Sequence, residues 1–315
     1  MKIGIYGYGN LGRAVETVTE SLSGVDLAAI FTRRDPDSVR ARTPHVYPRE
    51  MAEKFMSGID CMLICTGSHN DTRADACDMA RHFNTVDAFD IHAEIAEHKS
   101  TLGEIAAAHS HTSIVSVGWD PGVISLFRAL FSAVMPRAAV NTFWGRGVSQ
   151  GHSEAVRAIR GVRRAVQYTH PRPDAMTAAR GGARLSDTER HRRECYVVAD
   201  SSEHSRIERE ILAMPHYFRD YDTEVHFVSE ADFIRDHVCM PHAGTCIAQG
   251  QSGVYDEHSA RAELSLTLDS NPEFTALVMI AYARACYTMS SMGIHGAHTV
   301  LDVPLSYLVS DMSKL

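Results

Sequence analysis

The run Ile3-Gly4-Ile5-Tyr6 leads directly into Gly7-Tyr8-Gly9-Asn10-Leu11-Gly12, and an amphipathic stretch follows from Arg13 to about Glu20. A short apolar strand, a glycine turn and a helix start, in that order, present backbone N–H groups and the positive end of a helix dipole to a pyrophosphate. Gly7 permits the tight turn, Gly9 keeps a Cβ out of the path of the phosphates, and Gly12 lets the helix close on the strand. The glycine spacing alone is a weak signal, and an ordinary βα turn is its plain alternative; the flanking elements strengthen it. A second apolar run, Val25-Asp26-Leu27-Ala28-Ala29-Ile30-Phe31, ends in Thr32-Arg33-Arg34, where an NAD site places a lone carboxylate. Guanidinium groups there suit a 2′-phosphate, so NADP is the expected cofactor. The competing readings are a solvated arginine pair and, through Asp35 one position on, some use of NAD.

Working outward, residues 1 to about 118 alternate between strand and helix patterns. Strands are expected at 2–6, 25–31, 59–66, 84–88 and 113–118, with helices over 71–83 and 93–109. Ile59-Asp60-Cys61-Met62-Leu63-Ile64-Cys65 is almost wholly apolar, as in a central parallel strand covered on both faces, and it runs into Thr66-Gly67-Ser68. This is a doubly wound α/β pattern, in which ligands sit at the carboxyl ends of the strands; Cys65, Thr66, Gly67 and Ser68 therefore join Gly7 to Gly12, Arg33 and Arg34 as expected cofactor contacts. After Trp119-Asp120-Pro121-Gly122 the pattern changes. A helix is expected from about Val123 to Ala133, then longer irregular stretches and alternating strands at 221–227 and 262–268. The latter puts Leu264, Leu266 and Leu268 on one side, which points to a half-exposed mixed or antiparallel sheet. The polar stretch Arg180 to Arg193 reads as a surface excursion. Asn271-Pro272-Glu273 opens a long apolar helix to Met292, with Gly293 beyond it. Such a helix needs a partner surface, so it is expected to return to the first domain. The domains are then 1–118 with 272–315, and 119–271.

Composition narrows the function. A chain of 315 residues with 44% hydrophobic content supports two domains with real cores. The net charge of −8 offers no basic face for nucleic acid. No apolar run approaches the length of a membrane span, and the first strand begins too early to leave room for a signal peptide. The seven cysteines include no CxxC and read as reduced thiols in a cytoplasm. Among the 18 histidines, His237 and His242 flank Cys239, but no second pair stands at metal-site spacing, so no metal is expected.

Several segments carry polar groups that a bland fold does not need. Asp87 and Asp90 stand at the end of the strand at 84–88 and just after it, and Asp120 follows the next one. At those ends, beside a nicotinamide, paired acids suit a protonated amine and can accept its protons. Asp90 has an alternative as a helix N-cap, and Asp120 as a turn residue before proline. Phe143-Trp144-Gly145 and Ser149-Gln150-Gly151-His152 can wall a pocket and offer backbone N–H groups to a carboxylate, or simply pack as a loop. Thr169, Arg193 and His242 lie apart in sequence and can converge only through the fold. Arg193 is the natural bidentate carboxylate partner among them.

In order along almost the whole chain, the glycine turn with Arg13, Thr32-Arg33-Arg34, Thr85-Val86-Asp87, Gly118-Trp119-Asp120-Pro121-Gly122 and Thr142-Phe143-Trp144-Gly145 resemble meso-diaminopimelate D-dehydrogenases. So do Ser149-Gln150-Gly151-His152-Ser153, Val166-Gln167-Tyr168-Thr169, Met240-Pro241-His242 and Leu268-Asp269-Ser270-Asn271-Pro272. The resemblance implies NADP-dependent, reversible oxidative deamination at the D-centre of meso-2,6-diaminopimelate. The product is a 2-amino-6-oxo acid that cyclises to tetrahydrodipicolinate, and the reverse reaction feeds lysine synthesis. It also implies a homodimer, with Asp90 and Asp120 at the D-centre amine beside Trp119, and Trp144 walling the pocket. Gln150 and Gly151 would lie near the D-centre carboxylate, with Thr169, Arg193 and His242 on the distal carboxylate and Asn271 nearby. Two departures stand out: Glu94 replaces an expected aspartate, and the segment from Ala178 to Arg193 matches only loosely, leaving Arg192 as a rival to Arg193. The functional alternatives are a related NADP-dependent dehydrogenase of another amino acid or a sugar, and a non-catalytic NADPH-binding sensor.

Overall fold

The computed structural model describes residues 1–67, 71–135, 137–237, 241–252 and 257–309. The chain divides into two compact units, Met1–Leu126 with Pro272–Leu315, and Phe127–Asn271. The division falls inside a helix rather than at residue 118.

The first unit is built on β1 (Lys2–Tyr6), β2 (Asp26–Thr32), β3 (Val46–Pro48), β4 (Cys61–Ile64), β5 (Thr85–Asp87), β6 (Thr112–Val115) and, from the far end of the chain, β14 (Gly296–Thr299). They form one sheet in the order β14-β6-β5-β4-β1-β2-β3, and every pairing is parallel. The strand order reverses between β1 and β4, and this is where a doubly wound sheet opens a crevice at its carboxyl edge. Cys61, Met62, Leu63 and Ile64 are all fully buried, as their unbroken apolar sequence requires of a strand covered on both faces. Helices α1 (Asn10–Thr19), α2 (Thr72–Met79) and α3 (Ile95–Ala108) cover the sheet, and α4 (Val123–Val134) leads out of it.

The long helix α10 (Asn271–Ser291) does return to this unit. Met279, Ile280, Tyr282, Ala283, Cys286 and Met289 join the same core cluster as Ile3, Ile5, Leu63, Val86 and Ile114. Cys286 Sγ lies 3.2 Å from the carbonyl of Thr112. The helix is apolar around most of its circumference because most of its circumference is covered. Gly293 follows it with a left-handed φ of 76°.

The second unit has two sheets. One orders β11 (Asp222–Phe227), β10 (His191–Val198), β9 (Arg164–Pro171) and β8 (Gly147–Val148); the other orders β13 (His258–Leu268), β12 (His242–Ser252) and β7 (Ala139–Trp144). Only β10 and β11 pair in parallel; the rest are antiparallel, giving the mixed architecture the alternating pattern suggests. Helices α5 (Gln150–Arg157), α6 (Pro173–Arg180), α7 (Asp187–Arg190), α8 (His204–Ala213) and α9 (Glu230–Asp236) complete it.

One expectation holds only in part. Most of 181–190 is exposed, as a surface excursion would be, but the end of the segment is not. After Gly181 and Gly182 it forms α7, capped by Ser186 and Glu189 in a reciprocal capping box, and then enters β10 with His191 and Arg193 buried. Period-two alternation is present, but its inward positions are filled by a histidine and an arginine, so a hydropathy pattern does not register them.

Gly12 illustrates how tightly the first turn is built. A Cβ at this position would stand 2.3 Å from the carbonyl oxygen of Gly7. Gly12→Ala should therefore lower stability by about 1–3 kcal/mol, as overpacking against backbone does. Thermal unfolding checks this, and an unchanged melting temperature contradicts the close approach.

Candidate functional site

At the reversal point a cleft of about 510 Å³ is lined by Gly7, Tyr8, Gly9, Asn10, Arg33, Arg34, Cys65, Thr66 and Gly67 among the residues expected from sequence, together with Arg13 and Arg49. Leu11 instead packs on the core, and Gly12 faces Gly7. Ser68 lies outside the described residues. A Cβ on Gly9 would meet nothing within 4 Å, so this backbone faces open space. Below the turn, Glu16 is buried and anchors it. The Tyr8 hydroxyl donates to Glu16 Oε2, and the backbone N–H groups of Arg42 and Thr43 donate to Oε1 at 2.8 and 2.9 Å.

Four guanidinium-bearing residues and no carboxylate line this cleft among the described residues. Arg33 is half-exposed and bound by both oxygens of Asp71, at 2.7 and 3.0 Å; Arg34 donates to the Tyr8 carbonyl. Arg49 lies 5.9 Å above the Tyr6 ring and 3.7 Å from Asp75. Asp35, the residue that left NAD open, spends its carboxylate on its own turn, accepting from the Asp37 N–H at 3.1 Å. A glycine turn that faces open space at a helix N-terminus, rimmed by arginines, fits a phosphorylated dinucleotide. Arg49 escapes a sequence reading because it follows β3, a three-residue strand with little apolar signal of its own.

Beyond Gly67, the neighbouring strands β5 and β6 end in the two segments that carry the acids. Asp90 is exposed, while Trp119 and Asp120 are partly buried. Asp90 caps no helix: Ile91 precedes the short 3-10 turn at His92–Glu94, and Glu94 precedes α3. The Trp119-Asp120-Pro121-Gly122 turn is closed by a bridge between Trp119 and Gly122 and contains a cis bond before Pro121. Glu94, the departure noted in the sequence, pairs with Arg73 at 2.9 Å.

The other expected residues belong to the second unit, and strand register pairs two of them. Arg193 on β10 stands directly opposite Thr169 on β9, and Thr169 stands opposite Gly147 on β8. Gly145 has a φ of 119°, and a Cβ there would lie 2.1 Å from the Thr169 carbonyl; its N–H donates to the Ala243 carbonyl at 2.7 Å. Only glycine lets the chain after Trp144 pass between Thr169 and the start of β12. His242, the first residue of β12, is buried, with its Nε2 3.5 Å from Asn271 Nδ2. Gln150 and the exposed Gly151 open α5.

Register also separates Arg193 from its rival. Arg192 points to the opposite face of the sheet, where Glu194 and Glu224 pair with it. Arg193 is only 6% exposed, its guanidinium carbon 3.5 Å from the centroid of the Tyr221 ring and 5.6 Å from that of Phe218. Its Nε and Nη1 are buried without a hydrogen-bond partner among the described residues. Burial pushes this guanidinium below its ordinary pKa.

Two histidines, His191, which the sequence did not single out, and His152, which it named only within the Ser149–His152 cluster, fix neighbouring groups. His191 Nε2 accepts from the Trp144 N–H at 2.9 Å, its Nδ1 lies 3.0 Å from the Asp187 carbonyl, and its ring stacks on the indole with 5.1 Å between centroids. That pattern demands the neutral imidazole with its proton on Nδ1. His152 meets the Ser149 hydroxyl through Nδ1 and packs edge-on against Tyr217 and Phe218. Burial, with a further contribution from Arg193, pushes its pKa down to about 3. Burial likewise takes His191 down to about 4. His237, from the candidate metal segment, contacts the Tyr168 hydroxyl at 3.0 Å, while Val238, Cys239 and Met240 lie outside the described residues. No group of three or more His, Cys, Asp or Glu side chains is placed to hold a metal among the described residues. No described helix is long and apolar enough to cross a membrane.

Residues 118–270 match the model of the diaminopimelic acid dehydrogenase C-terminal domain. The meso-diaminopimelate D-dehydrogenase of Lysinibacillus sphaericus is 46% identical over 312 residues, covering 98% of this chain and 95% of its own. This chain belongs to the meso-diaminopimelate D-dehydrogenase family. The Corynebacterium glutamicum member is 42% identical over 98% of the chain. The structure of the C. glutamicum diaminopimelate dehydrogenase in complex with diaminopimelate superposes with a TM-score of 0.93, covering 100% of this chain and 97% of that one at 41% identity. A second structure, an engineered D-amino acid dehydrogenase bound to NADP+, gives a TM-score of 0.89 at 39% identity, covering 100% of this chain and 98% of that one. The protein is thus an oxidoreductase of the diaminopimelate dehydrogenase type, with a nicotinamide cofactor.

The buried neutral histidines carry a pH signature. In the unfolded chain His152 binds a proton near pH 6.5, whereas in the folded protein it does so only near 3. Stability is therefore fully present above pH 6.5 and lost as pH falls toward 3, by up to about 1.4 kcal/mol per pH unit for this group. Denaturant unfolding at pH 5 and pH 7 should show a smaller difference in His152→Asn than in the wild type. Equal differences would show that His152 takes up its proton in the folded state.

Proposed function

We propose that this enzyme catalyses NADP-dependent oxidative deamination of the D-centre of meso-2,6-diaminopimelate. The observation that carries the reading is Arg193, a buried guanidinium facing Thr169 across the β-ladder, with two nitrogens that have no hydrogen-bond partner among the described residues. Such a group is costly unless an anion completes it, and a carboxylate matches its fork. Thr169 and His242 complete this clamp for the distal L-centre carboxylate, with Asn271 beside His242. Gln150 and Gly151, at the start of α5, serve the D-centre carboxylate, and Trp144, held flat by His191, walls the pocket. Asp90 and Asp120, with Trp119, receive the D-centre ammonium.

The chemistry balances as follows. The D-carbon loses a hydride, the ammonium loses a proton, and the C=N bond forms; water then adds to that carbon and ammonia leaves. The products are L-2-amino-6-oxopimelate, which cyclises to tetrahydrodipicolinate, an ammonium ion, a proton and the reduced cofactor. When bound, NADP supplies the hydride acceptor. Asp90 or Asp120 takes the proton, and either carboxylate stabilises the cationic amine until then. The clamp fixes which of the two amino-acid centres is presented, so stereochemistry is a positioning effect. Gly7, Tyr8, Gly9, Asn10 and the β4 loop cradle the pyrophosphate, and Arg33, Arg34 and Arg49 serve the 2′-phosphate. The family resemblance supports a homodimer working in the cytoplasm in lysine biosynthesis.

Reduction of NADP followed at 340 nm should proceed with the meso isomer and DD-diaminopimelate should not outcompete it; the LL isomer should be inert. Turnover of D-alanine or a polyol without the meso isomer would favour another substrate class, and cofactor binding without any turnover would favour a sensor. Arg193→Ala should weaken diaminopimelate binding by about 2–3 kcal/mol, the value of a charge-assisted contact. Unchanged diaminopimelate kinetics would remove Arg193 from the clamp. In Arg33→Ala/Arg34→Ala the preference for NADP over NAD should collapse, read as separate dissociation constants; a preference that survives contradicts the phosphate assignment.

A further inference from the structure

A buried, hydrogen-bonded aspartate–histidine couple lies outside all of these assignments. Asp87, the last residue of β5, and His98, on the first turns of α3, are each 1% exposed. Asp87 Oδ2 lies 2.8 Å from His98 Nε2. Asp87 Oδ1 accepts two backbone N–H groups, from Phe89 at 3.0 Å and from Ser116 at 2.9 Å, and the Asp87 carbonyl accepts from Val117 at 2.8 Å. Phe89 immediately precedes Asp90, while Ser116 and Val117 lead into Gly118-Trp119-Asp120. A single carboxylate therefore ties together the roots of both acid-bearing segments.

The conformations so held are not ones the chain adopts freely. Ser116 has a φ of 59°, in the left-handed region that a serine disfavours. Its N–H is fixed by Asp87 in that state. His98 in turn packs its ring on that of the fully buried Phe89, with 4.8 Å between centroids. The histidine thus sets both the far oxygen of Asp87 and the side chain next to Asp90. A carboxylate held this far from water is an expensive way to close a loop when a neutral asparagine or serine could accept the same bonds.

We infer that Asp87, backed by His98, is a positioning residue for the reaction: it sets where Asp90 and Asp120 stand. This rests on the reading that those two acids receive the substrate amine. Displacing a reacting group by about an ångström costs on the order of 10²-fold in rate. A role confined to folding would lower the melting temperature without separating turnover from cofactor binding.

The test uses the full-length enzyme, with meso-diaminopimelate turnover, NADPH affinity by fluorescence titration, and the deuterium isotope effect at the D-carbon. Asp87→Ala should lose about 100-fold in kcat. Its NADPH affinity should stay within about twofold, and its isotope effect should rise as hydride transfer becomes limiting. Asp87→Asn keeps an acceptor for Phe89 and Ser116 and should recover at least a tenth of wild-type kcat. Should Asp87→Ala not fold, His98→Gln decides: kcat falls about tenfold with NADPH affinity unchanged. Retained kcat in Asp87→Ala, or in His98→Gln, overturns the inference, as does kcat lost only in parallel with NADPH binding. Failure of the functional reading is distinct, since there the wild-type enzyme itself does not turn over the meso isomer.

Discussion

A guanidinium kept out of water, with two nitrogens unanswered among the described residues, is the constraint around which the second unit is organised. Burying Arg193 works against the fold, and its surroundings reduce the cost without removing it: the Tyr221 and Phe218 rings supply a face for the cation but no counter-charge. What holds it there is strand register. With β9 and β10 paired as they are, position 193 falls on the covered face and position 192 on the other, where Glu194 waits for it. A slip of one residue would exchange the two arginines and leave Glu194 facing the apolar cluster of Val156, Ile207, Ile211 and Phe218. Register and charge placement thus specify one another, and the carboxylate proposed to answer these guanidinium donors would add its own binding energy to the folded state.

The first unit uses charge in the opposite manner. Its arginines sit around an open cleft, and Arg33 has a partner in Asp71. Such a half-exposed pair contributes little to stability. It does keep a flexible side chain near the place where a phosphate would arrive, at the expense of exchanging one anion for another on binding. Buried Glu16 has a purely scaffolding part, joining the glycine turn to the segment at Arg42 and Thr43.

The doubly wound sheet was legible because its signals are local: an apolar run, glycines at fixed spacing, a second run ending in basic residues. The return of α10 was legible because an apolar helix of that length has to be covered. The β10 segment was not, since its buried positions hold His191 and Arg193, residues whose presence in a core depends on what faces them. For the same reason the sequence could name Thr169, Arg193 and His242 one at a time yet could not show that β8, β9 and the Gly145 crossing bring them together. Arg49, His191 and the Tyr221 platform went unseen for want of any motif; each acquires its part from its surroundings in the fold. The choice between Arg192 and Arg193 is one of parity along a strand, which a loosely matching segment leaves open.

The route of the chain has a consequence for biosynthesis. The second unit is a single continuous stretch, Phe127–Asn271, whereas the first closes only when α10 supplies Met279, Tyr282, Ala283 and Cys286 to a core begun at Ile3. On the ribosome, the amino-terminal strands emerge first yet wait longest for their covering helix. The middle of the polypeptide can reach its native packing while the earlier half still exposes apolar β4, so nascent chains stalled before residue 271 should be the ones that chaperones hold.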